Sequence, residues 1–297
     1  MKCDLCPRKC LVDRKKGEKG ICGQTENLKV ARAALHFWEE PCISGDAGSG
    51  AVFFSGCPLH CVFCQNENIA NGTVGKEISL ERLVDIFLEL QEKRANNINL
   101  VTPGHFVPQI VKALDQARRE GLTLPVVYNT SSYETVDTIK MLEGYVDIYL
   151  PDFKYMSPVL SKKYSHAPDY AEVAKAAIAE MVRQTGKAVF VNGDEDNLIL
   201  SGTIVRHLTL PGCMADSMQI VKYLHDTYGD MIYISIMNQF TPLSNLEKYP
   251  ELNRRITDEE YETLVDYAIE IGIENGFIQE GDTAEESFIP AFDCEGV

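Results

Sequence analysis

Cys57, Cys61 and Cys64 stand as C-x3-C-x2-C within FFSGCPLHCVFCQN. Three thiolates on one short loop can hold three corners of a cubane iron–sulfur cluster, whose usual 4Fe–4S form takes four cysteines, one per iron. Supplying three leaves one iron open to a small molecule, the distinction that separates catalytic from structural zinc sites. Two other uses compete. Buried cysteine is often an inert packing residue, but three in eight residues beside Gly56 and Pro58 make a poor core. Zinc usually draws cysteine in C-x2-C pairs and here needs a distant fourth ligand. The open-cornered cluster matches the spacing best. The apolar run Ala51 to Ser55 just before the loop predicts a buried strand. Its C-terminal end is where parallel α/β folds place their chemistry.

Cys3, Cys6, Cys10 and Cys22 form a second set, C-x2-C-x3-C-x11-C. Four cysteines on a loop-rich segment too short to fold alone imply a metal staple. Zinc and an auxiliary 4Fe–4S cluster both satisfy the set. Arg8, Lys9, Arg14, Lys15, Lys16 and Lys19 lie among these cysteines, where they offset thiolate charge or meet an acidic partner. Cys42, Cys213 and Cys294 are isolated and are expected as packed thiols. Gly45, Gly48 and Gly50 lead into a strand rather than a helix, which excludes a phosphate-binding loop.

The elements that must position these residues alternate. From residue 51 onward strand-like and helix-like segments follow one another, predicting βα units and a parallel sheet. Expected strands are Ala51–Ser55, Ile98–Thr102, Val126–Asn129, Val146–Leu150, Ile204–Leu210 and Met231–Ile236. Between them come a helix capped by Ser79 and carrying Leu83, Phe87 and Leu90, one along Val107–Ala117, one along Val136–Leu142, and a long one from Pro168 to Gly186. Lys187–Leu200 is expected as a hairpin-like excursion around Asn192-Gly193. A last helix starts at a capping box, Thr257 with Glu260. Six such units suit an open barrel better than a closed eight-stranded one. The division expected is a cysteine-rich module over 1–35, a barrel over 36–280 and an acidic tail over 281–297.

The 297-residue chain is long enough for a large core. No apolar run can span a bilayer, the start MKCDLCPRKC is not a signal peptide, and ten cysteines without one argue for a reducing cytoplasm and metal work. A net charge of −16 disfavours nucleic acid as a partner. The charge is segregated: residues 1–32 carry nine Lys/Arg against four Asp/Glu, while thirteen acids and no Lys or Arg follow Arg255.

The cysteine loop with Phe63 before its last cysteine resembles the radical S-adenosylmethionine (SAM) superfamily. GDAGSGAVFFSGCPLHCVFCQN is similar to the activating enzymes of glycyl radical enzymes, of the pyruvate formate-lyase activating type. The N-terminal CDLCPRKC block with HFWEEPCISG, NLVTPGHF, VYNTSSYE, DIYLPDFKY and RHLTLPG resembles the PflX-like branch, over nearly the whole chain. The resemblance implies a partial (β/α)6 barrel, a 4Fe–4S cluster on Cys57, Cys61 and Cys64, SAM at its open iron, and an electron donor such as flavodoxin or ferredoxin. It places Lys154 and Asp152 of LPDFKY and Arg206 of IVRHLTLPG near SAM, and Phe63 and Asn66 against its adenine. Thr102 and Gly104 occupy the stretch where activating enzymes carry a Gly-Gly-Glu element for the SAM amino group, so that contact departs from the pattern. His105 then becomes a SAM-side or substrate-side candidate. Asn129, Ser131 and Asn238 are polar residues just past strand ends. His207 should face away from Arg206 and make a structural hydrogen bond.

Two functions share every one of these residues: hydrogen abstraction from a protein glycine, and radical modification of a peptide or small molecule. A non-enzymatic iron–sulfur carrier or regulator is a third, disfavoured because a carrier needs closed clusters.

Overall fold

The computed structural model describes residues 2–194, 197–242, 246–279 and 290–297. Its strands are β1 (Leu28–His36), β2 (Ser49–Phe54), β3 (Lys76–Ile78), β4 (Ile98–Val101), β5 (Val126–Thr130), β6 (Ile148–Pro151), β7 (Val189–Phe190), β8 (Ile199–Leu208), β9 (Tyr233–Met237) and β10 (Gly276–Ile278). Its helices are α1 (Pro41–Ser44), α2 (Glu67–Ala70), α3 (Leu80–Glu92), α4 (Val107–Arg119), α5 (Val136–Lys140), α6 (Pro158–Ser165), α7 (Tyr170–Thr185), α8 (Met214–Tyr228) and α9 (Asp258–Glu270).

One sheet runs in the order β10-β9-β8-β6-β5-β4-β2-β1-β3. The six strands expected from the sequence, β2, β4, β5, β6, β8 and β9, are parallel neighbours, each reached by a helical crossover. This is the open α/β barrel architecture, and it brings the C-terminal ends of six strands to one mouth. The helices form where local signals require them. Ser79 accepts from Arg82 N at the start of α3, and the Thr257–Glu260 capping box closes the start of α9. The apolar faces of α3 and α4 pack on β2, β4 and β5 through Leu83, Phe87, Ile110 and Leu114. A second cluster around Phe153, Tyr155, Tyr170 and Ile220 packs α7 and α8 on the other half of the sheet.

Three features differ from the sequence expectation. The boundary placed at residue 35 falls inside β1, which pairs antiparallel with β2 from Val30↔Phe54 to His36↔Ser49. The alternation in LKVARAALH was masked by its two charged residues, Lys29 and Arg32. The first is held by Gly72 O and the second by Asp293 and Glu295 near the C-terminus. α8 is an element the expectation lacks, although Met214, Met218, Val221, Leu224 and Tyr228 recur at helical spacing and Ile220, Val221 and Leu224 are buried. β3 and β10 are three-residue edge strands too short for periodicity to show.

The excursion over 187–200 is a pairing of β7 with β8, turned at Asn192 and Gly193, both at positive φ. The acidic segment expected from 281 lies outside the described residues up to 289. Beyond it, Cys294 N and Glu295 O bond to β1 at Ala31 and Ala33. No described helix is long and apolar enough to cross a membrane.

Candidate active site

At the strand ends a cavity of about 250 Å³ opens to the surface. Cys57, Cys61 and Cys64 line it, on the loop that leaves β2. The loop is held sharply: His60 takes φ 50° and Gly56 takes φ 93°. The hydroxyl of Ser165, at the end of α6, donates to Cys61 Sγ at 3.0 Å. Phe63 sits edge-on to Tyr155 and Phe240, which fixes the last turn of the loop, and Asn66 lies on the same wall.

A charged network shares the cavity wall with the cysteines, and Lys154 is close enough to interact with all three. Arg206 on β8 donates Nε to Asp152 at 3.0 Å, Nη1 to Glu39 at 2.9 Å and Nη2 to Asn129 at 2.7 Å. Lys154 donates to the second oxygen of Asp152 at 2.7 Å. Glu39 also accepts from Asn99 at 3.0 Å and from Asn129 at 3.1 Å. Burial would favour the protonated form of Asp152, but Lys154 and Arg206 outweigh it and hold the carboxyl below its usual range. Burial likewise works against the charge on Arg206, and Asp152, Glu39 and Glu40 more than compensate. Glu40, directly behind, is raised by burial with Arg206 opposing, and its Oε2 has no hydrogen-bond partner.

The radical SAM superfamily model matches residues 51–197, the stretch from β2 to the β7 turn that carries the cysteine loop. The chain belongs to the radical SAM superfamily. It is 27% identical over 272 residues to the uncharacterized protein MJ0674 of Methanocaldococcus jannaschii, covering 90% of this chain and 74% of that protein. Among solved structures it is similar to Streptococcus suis SuiB bound to S-adenosylmethionine, at TM-score 0.52 and 13% identity, over 76% of this chain and 49% of that one. HydG, a maturase of the [FeFe]-hydrogenase, matches at TM-score 0.51 and 15% identity over 78% and 52%. Methylornithine synthase matches at TM-score 0.52 and 13% identity over 80% and 66%. These likenesses are of fold, and this chain spans about half the length of SuiB and HydG.

Radical SAM enzymes carry a 4Fe–4S cluster and bind SAM, and the donor set suits that pair. Burial pushes the Cys57 thiol up to about 11, with Cys61 beside it adding to the rise. Burial also raises Cys61 and Cys64, and neighbouring thiolates raise Cys64 further. Burial thus favours the neutral thiols, and a metal centre bound here would displace their protons and balance the thiolate charge.

Lys154, Asp152, Arg206, Asn129, Ser131, Thr102, Phe63 and Asn66 all reach the cavity wall. Three expected residues do not. His105 is corrected from a cavity-facing to a core residue: it is 3% exposed, its Nε2 donates to Ser55 O at 2.7 Å, and burial lowers it to about 3. Gly104 faces Glu134, where an added Cβ would lie within 2.5 Å of the carboxylate. Asn238 sits between two wall residues, Met237 and Gln239, with its backbone N–H on Gln279. His207, as expected, is structural: Nδ1 donates to Phe153 O and Nε2 pairs with Ser217 Oγ, each at 2.8 Å.

Glu39 is the principal residue the sequence did not single out. It follows β1, an element read as part of a separate module, so its approach to Arg206 was invisible. The signal available was the buried-strand Arg itself, which requires carboxylate partners. Thr102, which the sequence did single out, has a feature it could not show: φ 55°, rare for a β-branched residue, just past the end of β4 on the cavity wall.

Proposed function

We propose that this radical SAM enzyme is of the activating type and takes hydrogen from a glycine of a protein substrate. The observation that carries the radical chemistry is the set of three thiols opening into a strand-end cavity whose wall also holds the Arg206–Asp152–Lys154–Glu39 network. What supports the activating-type reading is the order of motifs along the chain, from GDAGSGAVFFSGCPLHCVFCQN to RHLTLPG. The exposed Phe37 and Trp38 at the end of β1, with Trp38 on the cavity rim, add an apolar lip suited to a macromolecular substrate.

In this reading Cys57, Cys61 and Cys64 hold a 4Fe–4S cluster, which when bound supplies one electron to break a carbon–sulfur bond of SAM and give a 5′-deoxyadenosyl radical. Lys154 and Arg206 present donors to the SAM carboxylate, and Asp152 and Glu39 fix where those donors point. Phe63 and Asn66 offer a ring and an amide edge to adenine. Thr102, Asn129 and Ser131 supply polar groups to the methionine and ribose portions. Phe63, Leu59 and Met237 narrow the cavity and exclude water from the radical.

Cys3, Cys6, Cys10 and Cys22 hold a second metal centre in the same reading. Burial pushes Cys6 up to about 12 and raises Cys22, and each feels Cys3 as a neighbour. A carbon added at Gly20 would touch the sulfurs of both Cys10 and Cys22.

The test is anaerobic incubation with SAM, dithionite and candidate substrates labelled with deuterium at glycine Cα. Deuterium in 5′-deoxyadenosine and a glycyl radical signal support the reading. Cleavage of SAM with label arriving only from a non-glycine position would replace it with a peptide-modifying enzyme.

A further inference from the structure

The N-terminal cysteine segment does not hang free of the barrel. Arg8, inside the cysteine spacing, donates Nε to Pro58 O at 2.9 Å, Nη1 to His166 O at 2.6 Å and Nη2 to Ser165 O at 3.0 Å. Pro58 adjoins Cys57, and Ser165 is the residue whose hydroxyl reaches Cys61. From the other loop, His60 Nε2 donates to Ile21 O at 2.7 Å. The backbones also touch: a Cβ on Gly56 would come within 2.5 Å of Cys22 O. Each cysteine set is therefore joined to the other through residues within two positions of its own thiols, Arg8 with Pro58 and Ile21 with His60.

The segment is basic in an acidic protein, with seven Lys/Arg against four Asp/Glu over residues 1–27. Lys2, Lys9, Lys15, Lys16 and Lys19 are exposed there, on a chain of net charge −16. Lys15 and Lys16 meet only Glu26 and Asp13, at 3.9 and 4.0 Å, so little of this charge is neutralised. Leu11 and Ile21 are exposed among them. A basic patch with exposed apolar residues suits an acidic protein that docks briefly and leaves.

We propose that the N-terminal segment is the electron entry port: it docks an acidic one-electron carrier protein and holds an iron–sulfur centre on Cys3, Cys6, Cys10 and Cys22 that passes the electron to the Cys57, Cys61 and Cys64 centre. This rests on the radical SAM reading of the barrel. One electron leaves the reduced carrier, resides on the N-terminal centre, and moves on to the barrel centre, which returns the first to its oxidised state; no bond or proton changes hands. Zinc has no redox chemistry, so a zinc ion on these four cysteines would exclude the relay.

Two measurements on the full-length chain decide it. A Cys57→Ala, Cys61→Ala, Cys64→Ala variant should retain about four irons and a reducible paramagnetic signal; one zinc and no iron would overturn the relay. A Lys9→Glu, Lys15→Glu, Lys16→Glu, Lys19→Glu variant should be reduced by photoreduced flavodoxin at least about tenfold more slowly and with a flattened salt dependence. Its reduction by dithionite should match the wild type. An unchanged flavodoxin rate would place docking elsewhere. Equal slowing by both reductants would show a damaged centre and would also overturn the docking claim. SAM cleavage by the wild type with dithionite reports separately on the radical SAM reading.

Discussion

Cys57, Cys61 and Cys64 hang from the end of β2, a strand whose six residues are all buried and which is paired with β1 on one side and β4 on the other. Cys3, Cys6, Cys10 and Cys22 lie on a segment whose regular structure, among the described residues, is a single three-residue turn at Arg14–Lys16. The first loop is anchored by the barrel and therefore has no need of a closed coordination sphere. The second has almost no core of its own, and in the proposed reading a metal on its four thiols would give it shape. On the proposed reading, three cysteines and an open corner go with the scaffolded loop, and four cysteines go with the unscaffolded one.

Any one of Cys57→Ala, Cys61→Ala or Cys64→Ala should therefore abolish SAM cleavage while the barrel keeps its circular dichroism and cooperative melting. Loss of the fold with the loop cysteines would show that the loop, not the strand, carries the local structure. The mirror experiment is Cys6→Ser with Cys22→Ser. It should release the N-terminal metal and speed proteolysis within residues 1–27, yet leave most dithionite-driven SAM cleavage in place. If SAM cleavage vanished as well, the two loops would be one structural unit.

On the barrel side, Arg206→Ala strips the cation from Glu39 and Asp152 and should cost about 3–5 kcal/mol of stability, as for a buried pair broken on one side. It should also weaken SAM binding at least about tenfold, the worth of a charge-assisted hydrogen bond. Adding Glu39→Gln should recover part of the stability and none of the affinity, which separates the two roles by a double-mutant comparison. Lys154→Ala should weaken SAM binding less, since water replaces part of an ammonium. Unchanged affinity in both single variants would mean another surface holds the carboxylate.

The smallest effect concerns His207, which supports the wall without lining it. Burial, helped by Lys154, lowers it to about 4, below its usual 6.5, so the unfolded chain binds the proton first. Its contribution is present above pH 6.5 and is lost as pH falls toward 4, by up to about 1.4 kcal/mol per pH unit. His207→Ala should lower stability at pH 7.5 and flatten that part of the acid slope in denaturant unfolding measured from pH 7.5 down to 5. SAM affinity should stay near wild type. An unaltered slope would mean the histidine is protonated in the fold.

The chemistry-bearing residues were legible because their signals are local. The cysteine spacing, the strand before it and the polar residues at the ends of β5, β6 and β8 need no knowledge of distant contacts, and all but a few reach the cavity. His105 and Gly104 misled because a 3-10 turn at Gly104–Phe106 follows Thr102 and swings both away from the mouth. Strand periodicity cannot foresee that turn. Glu39 was missed for the opposite reason: its role depends on β1 adding to the far side of β2, a pairing between segments of weak alternation. The docking of Arg8 on Pro58, Ser165 and His166 was likewise unreadable, because its partners are backbone carbonyls, which every sequence contains.

The central claim is that three thiols opening into the barrel mouth make a centre that SAM binds directly. Electron paramagnetic resonance of the anaerobically reduced, four-iron barrel centre, recorded with and without SAM in the Cys6→Ser, Cys22→Ser protein, tests it with no second centre to confuse the signal. A changed spectrum on adding SAM, followed by 5′-deoxyadenosine in the same sample, is the predicted result. A spectrum indifferent to SAM in protein with a full complement of iron would contradict it.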